Sequence, residues 1–148
     1  MIIGIGLDIV ETERFARALG SAEGRFAERV FTTRELVACE SRADRIQALA
    51  ARFAAKEACL KALGAGILES ALHDVEILST QSGAPQLRLA GALAERARDC
   101  GARSAHVSLT HQPGLAAAVV ILEGRPARRR EGRGAATWTL ETVSSGTW

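Results

Sequence analysis

The feature that most restricts how this chain can fold is the stretch from Arg45 to Leu63, which no glycine or proline interrupts. Within it Ile46, Leu49, Phe53, Leu60 and Leu63 recur at helical spacing, which predicts one long amphipathic helix with an apolar stripe. Gly64 follows as the expected left-handed residue that ends it. Glu57 falls inside that stripe, four residues after Phe53 and three before Leu60. A carboxylate in that position needs a cation, hydrogen-bond donors or a proton, because burying it unpaired costs on the order of several kcal/mol. An internal ion pair with Lys61 or Arg52 is one solution, and a functional site is the other. Arg45, Arg52, Lys56 and Lys61 give the same helix several cations able to meet phosphates, although a solvated cationic face is the commoner reason for such a set.

The N-terminal run Ile2 to Val10 is β-branched and apolar with two glycines, which predicts a buried strand. Alternation puts Ile3, Ile5, Leu7 and Ile9 on one face and Gly4, Gly6, Asp8 and Val10 on the other. The glycines then predict open space for a ligand beside Asp8. Asp8 is the natural second acid to Glu57, and two carboxylates from different elements suit Mg²⁺, which takes its remaining ligands from phosphates and waters. An aspartate near a strand end is about as often a cap or turn acceptor.

A short helix is expected over Thr12 to Leu19, and Thr32-Thr33-Arg34-Glu35 offers a capping box for another running toward Cys39. Val75 to Ser79 and Gln86 to Leu89 read as strands of a hairpin, Ala90 to Cys100 as a helix stopped at Gly101, and Ala105 to Thr110 and Leu115 to Leu122 as strands around Gln112-Pro113-Gly114. Hairpins mixed with helices make the class α+β. His106, Ser108 and Thr110 share one face of their strand, a row that can hydrogen-bond a phosphorylated ligand but is more often just a half-solvated face. His111 and His73 fall in expected loops and carry no assigned role. Gly64-Ala65-Gly66-Ile67 is a weak phosphate signal, because a helix C-terminus has the wrong dipole sign unless Lys61 offsets it.

The net charge of +2 comes wholly from the region beyond Leu122, where five arginines face three glutamates. A neutral body argues against a nucleic-acid-binding domain. Three cysteines without a C-x-x-C pair argue against a disulfide framework or metal knuckle. No segment reaches the roughly 20 apolar residues of a membrane span, and the expected location is the cytoplasm. The 47% apolar content suffices for one domain. Residues 1–123 are expected to form it, and the Arg-, Gly-, Ser- and Thr-rich residues 124–148 a tail.

Three blocks carry a family resemblance: Gly4-Ile5-Gly6-Leu7-Asp8-Ile9-Val10-Glu11, Arg52-Phe53-Ala54-Ala55-Lys56-Glu57-Ala58 through Lys61-Ala62-Leu63-Gly64, and His106-Val107-Ser108-Leu109-Thr110-His111. In this order and spacing the chain resembles the short, trimeric holo-acyl-carrier-protein synthase type of 4′-phosphopantetheinyl transferase. The larger surfactin-synthetase type usually has an acid where Val10 stands and is about twice as long. Departures from the family pattern are Leu7 in a place often small and polar, Ala84 for a lysine before Pro85, and Thr110 for serine.

The resemblance implies a small antiparallel sheet packed on a long helix, with the active site at subunit interfaces of a homotrimer. It implies transfer of phosphopantetheine from coenzyme A to a serine of an acyl carrier protein, with release of 3′,5′-ADP, in support of fatty acid or polyketide synthesis. Asp8 and Glu57 would hold Mg²⁺, Glu57 or a metal-bound water would take the serine proton, and Lys61 would stabilise the phosphates. Arg52, Lys61, Gly64 and His106 would grip coenzyme A, and Arg14 would meet the acidic recognition helix of the carrier. Two competing readings remain: a relative that binds coenzyme A or a carrier without transfer, and nucleic-acid binding through the arginine tail.

Overall fold

A computed structural model describes residues 1–20, 25–65 and 69–125. In chain order the elements are β1 (Ile2–Glu11), α1 (Thr12–Gly20), α2 (Arg25–Val30), α3 (Thr33–Glu40), α4 (Arg45–Ala62), a 3₁₀ segment (Glu69–Asp74), β2 (Val75–Ser79), β3 (Pro85–Leu89), α5 (Gly91–Asp99), β4 (Ala102–Gln112) and β5 (Leu115–Gly124). The class is α+β, as expected. β1, β5 and β4 form an antiparallel sheet in that order, and β2 with β3 forms a separate hairpin. The expected tail lies outside the described residues from Pro126 onward, as do Gly66 and Ile67 of the glycine-rich turn.

α4 lies across the sheet and supplies much of the core. It is buried more completely than one stripe implies: Ala48, Ala50, Ala51, Ala54, Ala55, Ala58 and Ala62 are sealed along with Leu49 and Leu60. Alanines on the other faces let strands and neighbouring helices approach on several sides, so burial extends beyond the large side chains that define the periodic pattern. Phe53 and Glu57, by contrast, remain half-buried. The helix ends as its sequence predicts. Gly64 has φ of +58°, the Gly64 amide donates to Lys61 O at 3.0 Å, and the Ala65 amide reaches back to Leu60 O at 2.9 Å.

α4 and β1 approach each other closely. A Cβ on Gly6 would lie 1.8 Å from the Ala58 carbonyl oxygen, and one on Gly4 would lie 2.1 Å from that of Ala62. The space the glycines create is therefore filled by helix backbone, which overturns the expectation that they leave room for a ligand. β1 is also not buried on both faces, since Ile5, Leu7 and Ile9 are 59, 57 and 61% exposed. Its partner β5 alternates in the same sense: Ala116, Ala118, Val120 and Leu122 are buried under α4, while Ala117, Val119 and Ile121 are half-buried on the outer face.

The capping box at α3 is present in both directions. Thr32 Oγ accepts from the Glu35 amide at 3.3 Å, and Glu35 Oε2 accepts from the Thr32 amide at 2.8 Å. Both strands of the last hairpin run longer than expected. β4 begins at Ala102, and its irregular register between Ala102 and Ser104 hides the strand period there.

Candidate active site

Asp8 sits on β1 on the face turned toward α4, and the close helix–strand approach brings it to the side of the helix that carries Glu57 and Lys61. The Lys61 ammonium donates to Asp8 Oδ1 at 2.6 Å and to Leu7 O at 3.0 Å. Long side chains on a helix lean back toward the preceding turn, and the turn before Lys61 carries Glu57. Asp8 is largely covered, with 17% of its side chain accessible, whereas that of Lys61 is half exposed. The pair therefore joins a sheltered acid to a cation that still faces outward.

Glu57 forms no ion pair with any described cation, so neither structural pairing considered for it, with Lys61 or with Arg52, is made. Its pKa is raised, first by burial and then by the Asp8 charge, with Lys61 pulling the other way. Two carboxylates with one ammonium bonded to Asp8 leave surplus negative charge at the site. A divalent cation relieves that surplus. Among the described residues no group of three or more His, Cys, Asp or Glu side chains is placed to hold a metal. Two acids suit Mg²⁺, which completes its shell with phosphate oxygens and waters rather than a protein cage.

Asp8, Glu57 and Lys61 open onto one cavity of about 640 Å³, and Arg14 from α1 lines it too. Its apolar wall is a triangle of rings, with Phe15 to Phe53 at 5.7 Å, Phe15 to Phe26 at 6.0 Å and Phe26 to Phe53 at 6.0 Å between centroids. Sequence reasoning missed this wall. The chain has four phenylalanines, and nothing in their spacing says that three of them gather at one place.

The other candidates lie outside that cavity. Arg52 is buried, donating to Ile77 O at 3.2 Å and Ala48 O at 3.0 Å. It lines a separate cleft with Pro85, Ser108 and His111. His106 stands on the outer face of β4 with Nε2 2.7 Å from Glu123 Oε2. Ser108 and Thr110 are exposed along the same face. Gly64 follows the C-terminal end of α4, three residues beyond Lys61, where Arg96 of α5 donates to Leu63 O at 2.8 Å and to Gly64 O.

Lys56 does not belong among the cations facing a ligand. It is fully buried, 2.8 Å from Glu35 Oε2, and donates to Leu72 O and Val75 O. Glu35 also accepts from the Ile77 amide at 2.9 Å. Burial pulls the Lys56 pKa down and Glu35 pushes it back up. This pair locks α3, α4 and β2 together inside the core. Its sequence signal is the capping glutamate of α3, which in a solvated helix end would need no cation. Cys39 and Cys59 are buried and Cys100 exposed, all three free, and burial pushes the Cys59 thiol up to about 12, which leaves it inert.

Comparison with known proteins gives concordant results. The family model described as the 4′-phosphopantetheinyl transferase superfamily matches residues 4–120. A holo-[acyl-carrier-protein] synthase of Streptomyces griseus is 49% identical over 126 residues, covering 84% of this chain and all of the relative. The crystal structure of the holo-[acyl-carrier-protein] synthase of Neisseria meningitidis superposes with a TM-score of 0.75 at 33% identity, covering 83% of this chain and 99% of that one. That of the Helicobacter pylori synthase in complex with coenzyme A gives 0.69 at 31% identity, covering 80% and 99%.

Proposed function

The chain belongs to the 4′-phosphopantetheinyl transferase superfamily, and from this membership we propose that it performs the holo-acyl-carrier-protein synthase reaction. It transfers the 4′-phosphopantetheine group of coenzyme A to a serine of an apo acyl carrier protein and releases 3′,5′-ADP. The observation that carries this reading is the meeting of Asp8, Glu57 and Lys61 on one cavity, within a chain that resembles a coenzyme-A-bound synthase in fold and sequence.

The chemistry follows from the side chains. The serine Oγ attacks the β-phosphorus of coenzyme A, and the bond to the bridging oxygen breaks so that 3′,5′-ADP departs with that oxygen. Glu57, whose pKa burial and Asp8 raise, is the acceptor for the hydroxyl proton. Lys61, anchored by Asp8 and Leu7 O, presents positive charge to the pyrophosphate. Asp8 and Glu57 would hold Mg²⁺, which supplies charge neutralisation at the phosphates. Arg14 at the same cavity gives the acidic carrier a cationic contact beside the reacting centre.

Assembly as a homotrimer fits two observations. The outer face of the β1-β5-β4 sheet exposes Ile5, Leu7 and Ile9 as a row, and apolar strips of this kind mark association surfaces. Arg52 and His106 are turned away from the Asp8 cavity of their own protomer. Juxtaposing copies through the sheet faces would let an adjoining copy supply them to a coenzyme held in the cleft between. The family match within residues 1–123 supports treating that span as the transferase domain, with 124–148 as a tail. No helix among the described residues is long and apolar enough to cross a membrane, in keeping with work in the cytoplasm on a diffusing carrier.

The test is release of 3′,5′-ADP from coenzyme A, followed by chromatography with and without an apo carrier protein. Release that needs both the carrier and Mg²⁺ supports the reading. Tight coenzyme binding without release would favour the binding-only alternative.

A further inference from the structure

The middle of α4, which carries Glu57, is built mostly of small side chains: Ala50, Ala51, Ala54, Ala55 and Ala58 are all buried. Alanines let neighbours come close but interdigitate little, so apolar packing alone fixes the roll of such a helix about its axis weakly. The roll matters for the site. Glu57 is half-buried and held by no ion pair among the described residues, so its carboxylate points where α4 turns it. On the helix it stands about 100° from Ala58, which meets β1, and about 100° the other way from Lys56.

Specific polar contacts hold the Lys56 side of the helix. The buried ammonium donates to Leu72 O at 2.9 Å and to Val75 O, and it lies 2.8 Å from Glu35 Oε2. Its three N–H bonds thus meet three acceptors, which leaves it one orientation. One turn earlier, Arg52 donates to Ile77 O at 3.2 Å. Leu72, Val75 and Ile77 belong to the 3₁₀ segment and β2, so two cations one turn apart on α4 grip one continuous stretch of backbone. Stability alone does not account for a lysine here, because replacing a buried ion pair by apolar side chains is often neutral or stabilising, whereas fixing register is the best-attested use of such a pair.

We propose that Lys56 is a positioning residue for the transfer reaction: by tying α4 to the backbone of residues 72–77 it sets the roll of the helix that aims Glu57 into the Asp8 cavity. The proposal rests on the transferase reading. Lys56 touches no substrate and acts only through the residue next to it in sequence.

Lys56→Met combined with Glu35→Gln tests it, because the pair of changes removes the ammonium without leaving a buried charge alone. Leu93→Ala on α5, at a site 4% exposed, is the control: a destabilised core with the Lys56 contacts intact. Turnover is measured well below each melting transition, and calorimetry follows Mg²⁺ titrated into the full chain holding coenzyme A with no carrier present. In the double variant kcat should fall about ten- to a hundredfold, and the Mg²⁺ dissociation constant should rise at least about tenfold. The KM for coenzyme A and for the carrier should stay within about twofold. Leu93→Ala should keep the wild-type kcat and Mg²⁺ affinity. Lys56→Gln with Glu35→Gln retains a donor group for the carbonyls and should fall between wild type and the methionine variant; it decides the question if the methionine variant does not fold. Wild-type kcat and Mg²⁺ affinity in either double variant, once folded, overturn the proposal. An equal fall in Leu93→Ala also overturns it, since that marks destabilisation alone. A wild-type chain that transfers nothing contradicts the transferase reading instead, and the Mg²⁺ titrations then still show whether Lys56 governs how Glu57 is held.

Discussion

Glu57 is harder to ionise in this fold than in water, because burial and the adjacent Asp8 charge both favour its protonated form. A carboxylate whose folded pKa lies above its unfolded value adds stability below the unfolded pKa and loses it as pH rises through the folded one. Near neutral pH the metal-free chain therefore carries a penalty that Glu57→Gln removes. That variant should melt higher than wild type in EDTA near pH 7, with the gap closing below about pH 4, where both side chains are neutral. The same variant should lose at least roughly a hundredfold in Mg²⁺-dependent turnover. Wild-type turnover in Glu57→Gln would sink the assignment of this residue. Lys56, its neighbour in sequence, behaves oppositely. Lys56→Met strips the cation from buried Glu35 and should cost about 3–5 kcal/mol in urea unfolding, and adding Glu35→Gln should recover part of it. Glu57 was legible in the sequence because a charge inside an apolar stripe contradicts its surroundings, whereas Asp8 and Lys61 joined it through their places in the motif blocks. Lys56 was not, because a lysine beside that stripe reads as solvated until the partner on α3 is known.

At the scale of elements, the site depends on how near α4 lies to β1. With a Cβ, Gly6 would meet the Ala58 carbonyl at 1.8 Å, so the strand and helix must part for any larger residue. Gly6→Ala should destabilise by about 1–3 kcal/mol or more. It should also lower turnover beyond what its unfolded fraction explains, since Asp8 and Lys61 bridge that same gap. Differential scanning calorimetry with activity measured well below the transition separates the two effects, and full specific activity at normal stability would contradict this role for the glycine. The helix, its C-terminal glycine and the α3 capping box were readable, because each is fixed by a few consecutive residues. The use of Gly4 and Gly6 was not, because a missing side chain shows that something comes close without saying whether it is a ligand or a helix.

Across the whole molecule, the β1-β5-β4 sheet has one face under α4 and one face outward. Alternation in β1 sorts Ile5, Leu7 and Ile9 correctly to the outer side, yet a single sequence does not say what covers it. If copies associate there, Leu7→Arg on that face should yield a folded monomer by light scattering, with circular dichroism unchanged and transfer largely lost. A Leu7→Arg chain that remains associated and active would remove the sheet face from the assembly. The aromatic wall of Phe15, Phe26 and Phe53 shows the same limit of sequence reading, since three separate helices build it.

The central claim, group transfer at the Asp8 and Glu57 cavity, is tested most directly by the intact mass of a purified apo acyl carrier protein. It is incubated with this chain, coenzyme A and Mg²⁺, beside an EDTA control. The account predicts a gain of one phosphopantetheine that requires the metal and disappears in Glu57→Gln. A folded chain that adds nothing to any of several carriers, or adds it equally in EDTA, would contradict it.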